Sequence, residues 1–183
     1  MKMVKMLLQN RNNAPRWKTK PGQPKNKRMK KLTILLSTVF ILISCSKKND
    51  NHCTPVTPES ESDEITAFCN AQGINYIADT NGIYYQVIDQ GSGMTPNQNS
   101  VVTVTYKATT LDGTTVDDNT TTPVTQPLNQ FIEGWRLALP YIQQGGHIKM
   151  ILPSMLAYGC TGISGKVPPN SPLYYDIVLM KVE

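Results

Sequence analysis

The chain has 183 residues, of which 39% are hydrophobic and 17% charged, enough for one domain with a core and a tail. Its formal charge of +5 is unevenly placed: 11 of the 18 basic residues precede Cys45 and no acid does, which leaves 7 bases facing 13 acids from Cys45 onward. A body with a net charge of −6 excludes a phosphate-binding footprint and nucleic acid as a partner.

In chain order, residues 1–28 lack apolar periodicity and read as an upstream extension without a core; Met29 is an alternative start to Met1. "MKKLTILLSTVFILISC" follows, with a basic start, an apolar run from Leu32 to Ile43 and a small residue before Cys45, the layout of an export signal over 29–44. The run is too short for a permanent membrane-spanning helix. Its end, "LISC", resembles the bacterial lipobox, which implies lipid on Cys45 and a membrane anchor there. Residues 45–61 are polar and broken by Pro55 and Pro58, a solvated tether. Segment 62–78 contains a short helix, with Ser62 as N-cap, Asp63 and Glu64 in the first turn and Gly73 as the stop; Ile65, Phe68 and Cys69 share one face.

From residue 79 the pattern turns to antiparallel β. "GIYYQVIDQG", "VVTVTYKATTLDGTTVDD" with a turn at Asp112-Gly113, "GGHIKMILP" and "LYYDIVLMKVE" read as strands. Val102, Val104 and Tyr106 alternate with polar neighbours and belong on the core side. One helix fits among them, in "QFIEGWRLALPYIQQGG", with Ile132, Trp135 and Leu139 at helical spacing and Pro140 ending it. A sheet with one apolar face needs that cover. The fold class is α+β, a curved antiparallel sheet wrapped around one short helix.

"VTYKATTLDGTTVDD", "PLNQFIEGW", "LAYGCTG" and "VPPNSPLYYDIVLMKVE" stand in the order and spacing of the FKBP-type peptidyl-prolyl cis-trans isomerases, and the chain resembles that family from Gly82 to the C-terminus, which implies an isomerase domain over 79–183. With the lipobox and tether, it looks like the exported, lipid-anchored members of Bacteroidetes-type bacteria. The resemblance implies an apolar pocket between sheet and helix. Trp135 would be its floor, Phe131 and Ile132 a wall with backbone groups open to a ligand, and Tyr106 and Asp117 a polar rim. Tyr158 would offer a hydroxyl to a substrate carbonyl, while Ile163, Val167 and Tyr175 would close the space. Val116 and Val124 stand where the family usually has bulky aromatics, Gln126 replaces another nearby, and Tyr175 stands for a phenylalanine. These departures imply a wider, wetter pocket. The loop "AYGCTGISGKVPPNSPL" carries hardly any charge, as expected of a segment that overhangs an apolar cavity.

The implied activity is rotation of Xaa-Pro bonds in exported proteins of the cell envelope, with the outer membrane the expected site. Proline-containing polypeptides are the expected partners, the chain is expected to be monomeric, and neither cofactor nor metal is expected. The contrasting reading is a peptide-binding or chaperone module that keeps the pocket without turnover. His147 has no second histidine or cysteine at ligand spacing and reads as a surface residue. With Cys45 lipidated, at most one disulfide joins two of Cys53, Cys69 and Cys160; the flexible segment between Cys53 and Cys69 permits that pair.

Overall fold

The computed structural model describes residues 53–183. The upstream extension, the export signal, Cys45 and the first part of the tether lie outside the described residues.

The described chain begins with a stretch that enters a 3-10 turn, Pro58–Glu61, and runs directly into helix α1, Ser62–Gln72. Because the turn supplies the preceding backbone, Ser62 is the first helical residue and not the cap; its hydroxyl donates to the Glu59 carbonyl at 2.7 Å. Gly73 ends the helix at φ 64°, and its amide reaches back to the Asn70 and Cys69 carbonyls.

Among the described residues seven strands form one antiparallel sheet: β1 Ile77–Ala78, β2 Tyr84–Asp89, β3 Val101–Thr110, β4 Thr115–Asp118, β5 Val124–Pro127, β6 His147–Leu152 and β7 Leu173–Val182. The order is β1-β2-β6-β7-β3-β4, and β5 also pairs with β3. Strands β4 and β5 occupy one edge of β3 in succession, β4 opposite Lys107 to Thr109 and β5 opposite Val101 to Val104. Sequence patterning does not mark β5, whose "VTQP" is short and ends in proline. The Asp112-Gly113 turn closes with the Thr110 amide on the Thr114 carbonyl at 2.9 Å, and Gly113 has φ 90°.

Alternation along the strands sends side chains to two different cores. On one face lie Val102, Val104 and Ala108 of β3, Ile148, Met150 and Leu152 of β6, and Tyr175, Ile177 and Leu179 of β7. Helix α2, Glu133–Ala138, covers this face with Trp135 and Ala138, and Leu139 and Ile142 continue the cover beyond it. Pro140 keeps the helix short, and a 3-10 turn, Leu139–Tyr141, replaces its continuation. On the other face Ile65 and Cys69 of α1 pack with Ile74 and Ile151, flanked by Tyr84 and Tyr174. The sheet is therefore covered by α2 on one side and α1 on the other.

Two expectations are corrected at the N-terminal side. The end of the segment assigned to a solvated tether is held on the domain: Cys53 forms a disulfide with Cys160, and Glu61 is buried with its carboxylate accepting from the Ser154 amide at 2.8 Å. Its polar composition suits solvent, but these long-range partners outweigh composition. The Cys53–Cys69 pairing does not occur, because α1 turns Cys69 into the core under the sheet, where it is a buried free thiol.

Candidate active site

A cavity of roughly 210 Å³ opens between α2 and the β3–β4–β5 side of the sheet. The strand period sets Tyr106 and Ala108 on the same face of β3, both toward it. The tight hairpin at Gly113 returns Val116 and Asp117 beside them, and β5 contributes Val124 and Gln126. A 3-10 turn, Leu128–Gln130, then delivers Gln130, Phe131 and Ile132 to the mouth just before α2.

Trp135 is 2% exposed and forms the floor. Three rings fix its indole: Phe131 stacks on it at 4.7 Å, while Tyr106 and Tyr175 meet it edge-on at 4.9 and 5.4 Å. The indole Nε1 is buried and has no hydrogen-bond partner among the described residues. Helix α2 reaches this depth because Gly134 faces Leu152; a Cβ there would lie 2.4 Å from Leu152 Cδ1.

Polar groups line the rim. The Tyr106 hydroxyl donates to Asp117 Oδ2 at 2.6 Å, and Asp117 Oδ1 accepts from the Asp118 amide at 3.0 Å, so the carboxylate is held at both oxygens. Burial first, then the Asp117 acceptor and charge, push the Tyr106 hydroxyl well above its ordinary 10. Burial raises Tyr175 further still, with Tyr158 adding to it. Both hydroxyls therefore remain protonated donors. At the entrance to α2 the Ile132 carbonyl accepts from the Trp135 and Arg136 amides at 3.1 and 3.2 Å. Among the described residues no backbone or side-chain acceptor takes the Ile132 amide, which leaves it as a donor at the mouth.

Nine of the residues expected at the pocket meet there: Tyr106, Val116, Asp117, Val124, Phe131, Ile132, Trp135, Tyr158 and Tyr175. Ile163 and Val167 do not. They bond to each other, amide to carbonyl both ways at 2.8 Å, and pinch the loop into a separate hollow lined by residues 161–169. Val167 is 3% exposed against the main core instead of closing the cavity. Glycine is needed where this pinch folds back: Gly162 has φ 61°, and a Cβ on it would sit 2.2 Å from the Val167 carbonyl oxygen. Ala108 and Gln130 are lining residues that sequence reasoning missed. The period of β3 after Tyr106 marks Ala108, and the place of Gln130 beside "FIEGW" marks it.

The cavity volume is below the range of about 300–1,000 Å³ usual for drug-sized ligands, and the rings of Tyr106, Phe131 and Tyr175 pack around Trp135. The lining is polar at its edge, with Gln126 and Gln130 beside Asp117.

An antiparallel sheet closed over one short helix, with an indole-floored cavity between them, defines a domain of the FKBP-like class. Comparisons with known proteins agree. Residues 92–180 match the family model described as FKBP-type peptidyl-prolyl cis-trans isomerase. Over 118 residues the chain is 37% identical to the FKBP-type peptidyl-prolyl cis-trans isomerase FkpA of Escherichia coli K12, covering 63% of this chain and 43% of that protein. Over 104 residues it is 36% identical to the outer membrane protein MIP of Legionella longbeachae, covering 56% of this chain and 45% of that one. The crystal structure of FkpA from Escherichia coli superimposes with a TM-score of 0.61 at 35% identity, covering 69% of this chain and 59% of that chain. Residues 92–180 are an FKBP-type peptidyl-prolyl cis-trans isomerase domain. The chain spans less than half the length of these two curated relatives.

Proposed function

We propose that this protein catalyses cis-trans rotation of Xaa-Pro bonds in proteins of the cell envelope, with the cavity over Trp135 as its active site. The observation that carries this reading is the Trp135 indole held at the bottom of an aromatic cavity, inside the family-matched segment, with donors at the rim and mouth.

The chemistry needs no bond to heavy atoms made or broken. Amide resonance sets a barrier of about 18–20 kcal/mol. At 90° of twist the amide has lost that resonance and its carbonyl is less polar, so an environment of low polarity favours the twisted form over the planar one. The prolyl ring enters over Trp135 and is enclosed by Phe131, Tyr175, Val116 and Val124. The Ile132 amide and the Tyr158 hydroxyl hold carbonyls on either side of the twisting bond, fixing the chain while the bond turns. The Tyr106–Asp117 pair keeps a fixed carboxylate at the rim. Each ~1.4 kcal/mol of preference for the twisted form is about tenfold in rate.

The test is acceleration of Xaa-Pro isomerisation in short peptides. Wild type should accelerate it. Trp135→Ala and Asp117→Ala, each shown to be folded by circular dichroism, should lose most of the acceleration. A folded wild type that binds proline peptides without accelerating them would replace this reading with a binding or chaperone module.

The "LISC" motif supports lipid attachment at Cys45 and retention in the envelope, and the printed name of the MIP relative supports the outer membrane. Cys45→Ser should release the protein from membranes, and unchanged retention would refute the anchor. The oligomeric state proposed with this reading is a monomer, and sedimentation at micromolar concentration checks it.

A further inference from the structure

We propose that residues 53–61 form a strap that positions Tyr158 for the proposed isomerase reaction, on which this inference rests, and that the Cys53–Cys160 disulfide locks the strap. The strap lies outside the family-matched residues 92–180.

Three attachments converge on the turns around Tyr158. On its N-terminal side, Glu61 Oε2 accepts from the Ser154 amide at 2.8 Å in a buried setting. The Ser154 carbonyl in turn accepts from the Ala157 and Gly159 amides at 3.0 and 2.7 Å, so the backbone flanking Tyr158 hangs on Ser154. On its C-terminal side, Cys160 is joined to Cys53 across 107 positions of sequence. Between these, Asn170 Nδ2 donates to the Thr54 carbonyl at 3.1 Å while the Asn170 amide donates to the Gly159 carbonyl at 3.0 Å. Tyr158 thus sits between two anchors supplied by the same short segment. The strap is itself wedged, since Pro58 packs so closely on Gly82 that a Cβ there would meet it at 2.8 Å.

A positioning role follows from the geometry. Tyr158 is half-buried and reaches the cavity from a turn, not from a strand, so nothing in the sheet register fixes its hydroxyl. Cys53 and Cys160 are both partly exposed, so a small dithiol can reach them. In that exchange the disulfide takes two electrons and two protons to become two thiols, and the dithiol closes to its own disulfide.

The test uses the full chain in detergent, oxidised and after reduction with dithiothreitol, with thiols counted. Two readouts are taken: kcat/KM on an Xaa-Pro peptide, and amide exchange of residues 157–163 against that of β3 and β7. Reduction should lower kcat/KM about tenfold, a small part of what a 1 Å misplacement can cost, and speed exchange of the loop about tenfold with the strands unchanged. Asn170→Gly, which keeps the φ of 51° accessible and the disulfide intact, should shift both readouts the same way by about two- to threefold. Unchanged loop exchange and unchanged kcat/KM after complete reduction would overturn the strap. If reduction loosens the strands as well, Asn170→Gly decides, and unaltered loop exchange in that variant overturns it. An oxidised wild type without isomerase activity would instead refute the reaction, and loop exchange would still decide whether the strap positions Tyr158.

Discussion

Gly134→Ala should harm this protein even though alanine is the better helix former. Three atoms of Leu152 crowd the position: Cδ1 at 2.4 Å, Cδ2 at 2.5 Å and Cγ at 2.9 Å from where a Cβ would stand. Carbon atoms pack comfortably at about 3.5–4.0 Å, so the contact must open by about 1 Å. Turning the Leu152 methyls does not clear it, because Cγ is also too close and Leu152 is fully buried. The relief available is for α2 to lift off β6. Overpacking of this kind costs about 1–3 kcal/mol. The intrinsic gain from glycine to alanine in a helix interior is about 1 kcal/mol, and less in the first turn of a six-residue helix. The net expectation is destabilisation of about 1–2 kcal/mol by urea unfolding with an unchanged slope. Because Trp135 is the next residue, the same shift should lower kcat/KM for prolyl peptides by about 10- to 100-fold. Leu152→Ala alone should cost about 2–5 kcal/mol, and adding it to Gly134→Ala should cost less than the sum, since the new methyl enters the space vacated. A Gly134→Ala protein as stable as wild type with full activity would refute the close-packing argument.

Three further outcomes follow from the site and its supports. Tyr106→Phe removes the 2.6 Å bond to Asp117 and should cost about 1 kcal/mol or less at this partly exposed site, while lowering kcat/KM about tenfold; unaltered kinetics would remove the pair from the reaction. Tyr141 donates to Asp79 Oδ2 at 2.7 Å, and burial, then that acceptor and its charge, push it up to about 12. Between 10 and about 12 the unfolded chain releases this proton and the folded chain keeps it, so stability falls as pH rises through that window, and Tyr141→Phe should flatten the fall in alkaline unfolding curves. Burial likewise raises Glu61 above its ordinary 4.5 against the opposing pull of Ser154. The fold then favours the neutral acid, so its contribution is fullest below 4.5 and is lost as pH rises through the folded value; the urea midpoint of wild type relative to Glu61→Gln should decline over that range, and a rise would refute the burial argument.

The site was legible where local pattern and three-dimensional neighbourhood coincide. Period two along β3 puts Tyr106 on the core face, the Asp112-Gly113 hairpin returns Asp117 to its side, and "FIEGW" places Phe131, Ile132 and Trp135 within one turn of each other. Each of these relations spans about a dozen residues or fewer within its own element or hairpin, and short-range geometry fixes it. The loop beyond Tyr158 was harder to read. Whether Val167 points to the cavity or to the core depends on the Ile163–Val167 pinch, and that depends on the left-handed backbone of Gly162, which no spacing of apolar residues reveals.

The segment before α1 shows the opposite limit. Prolines, acids and serines over residues 53–61 carry the composition of a solvated tether, and composition is blind to partners about a hundred positions away. Cys160, Ser154 and Asn170 are those partners, and all three belong to the turns that hold Tyr158. A covalent bond, one buried hydrogen bond and one exposed one are enough to offset the ordering entropy of a short polar segment, because closing a long loop by a disulfide is worth about 2–4 kcal/mol. The same polar residues that disguise the strap in sequence are the ones whose groups make it: Thr54 through its carbonyl, Glu61 through its carboxylate and Cys53 through its sulfur. Polar composition therefore marks a segment as free only when the folded domain offers it no acceptor, donor or thiol, and this domain offers all three beside its pocket.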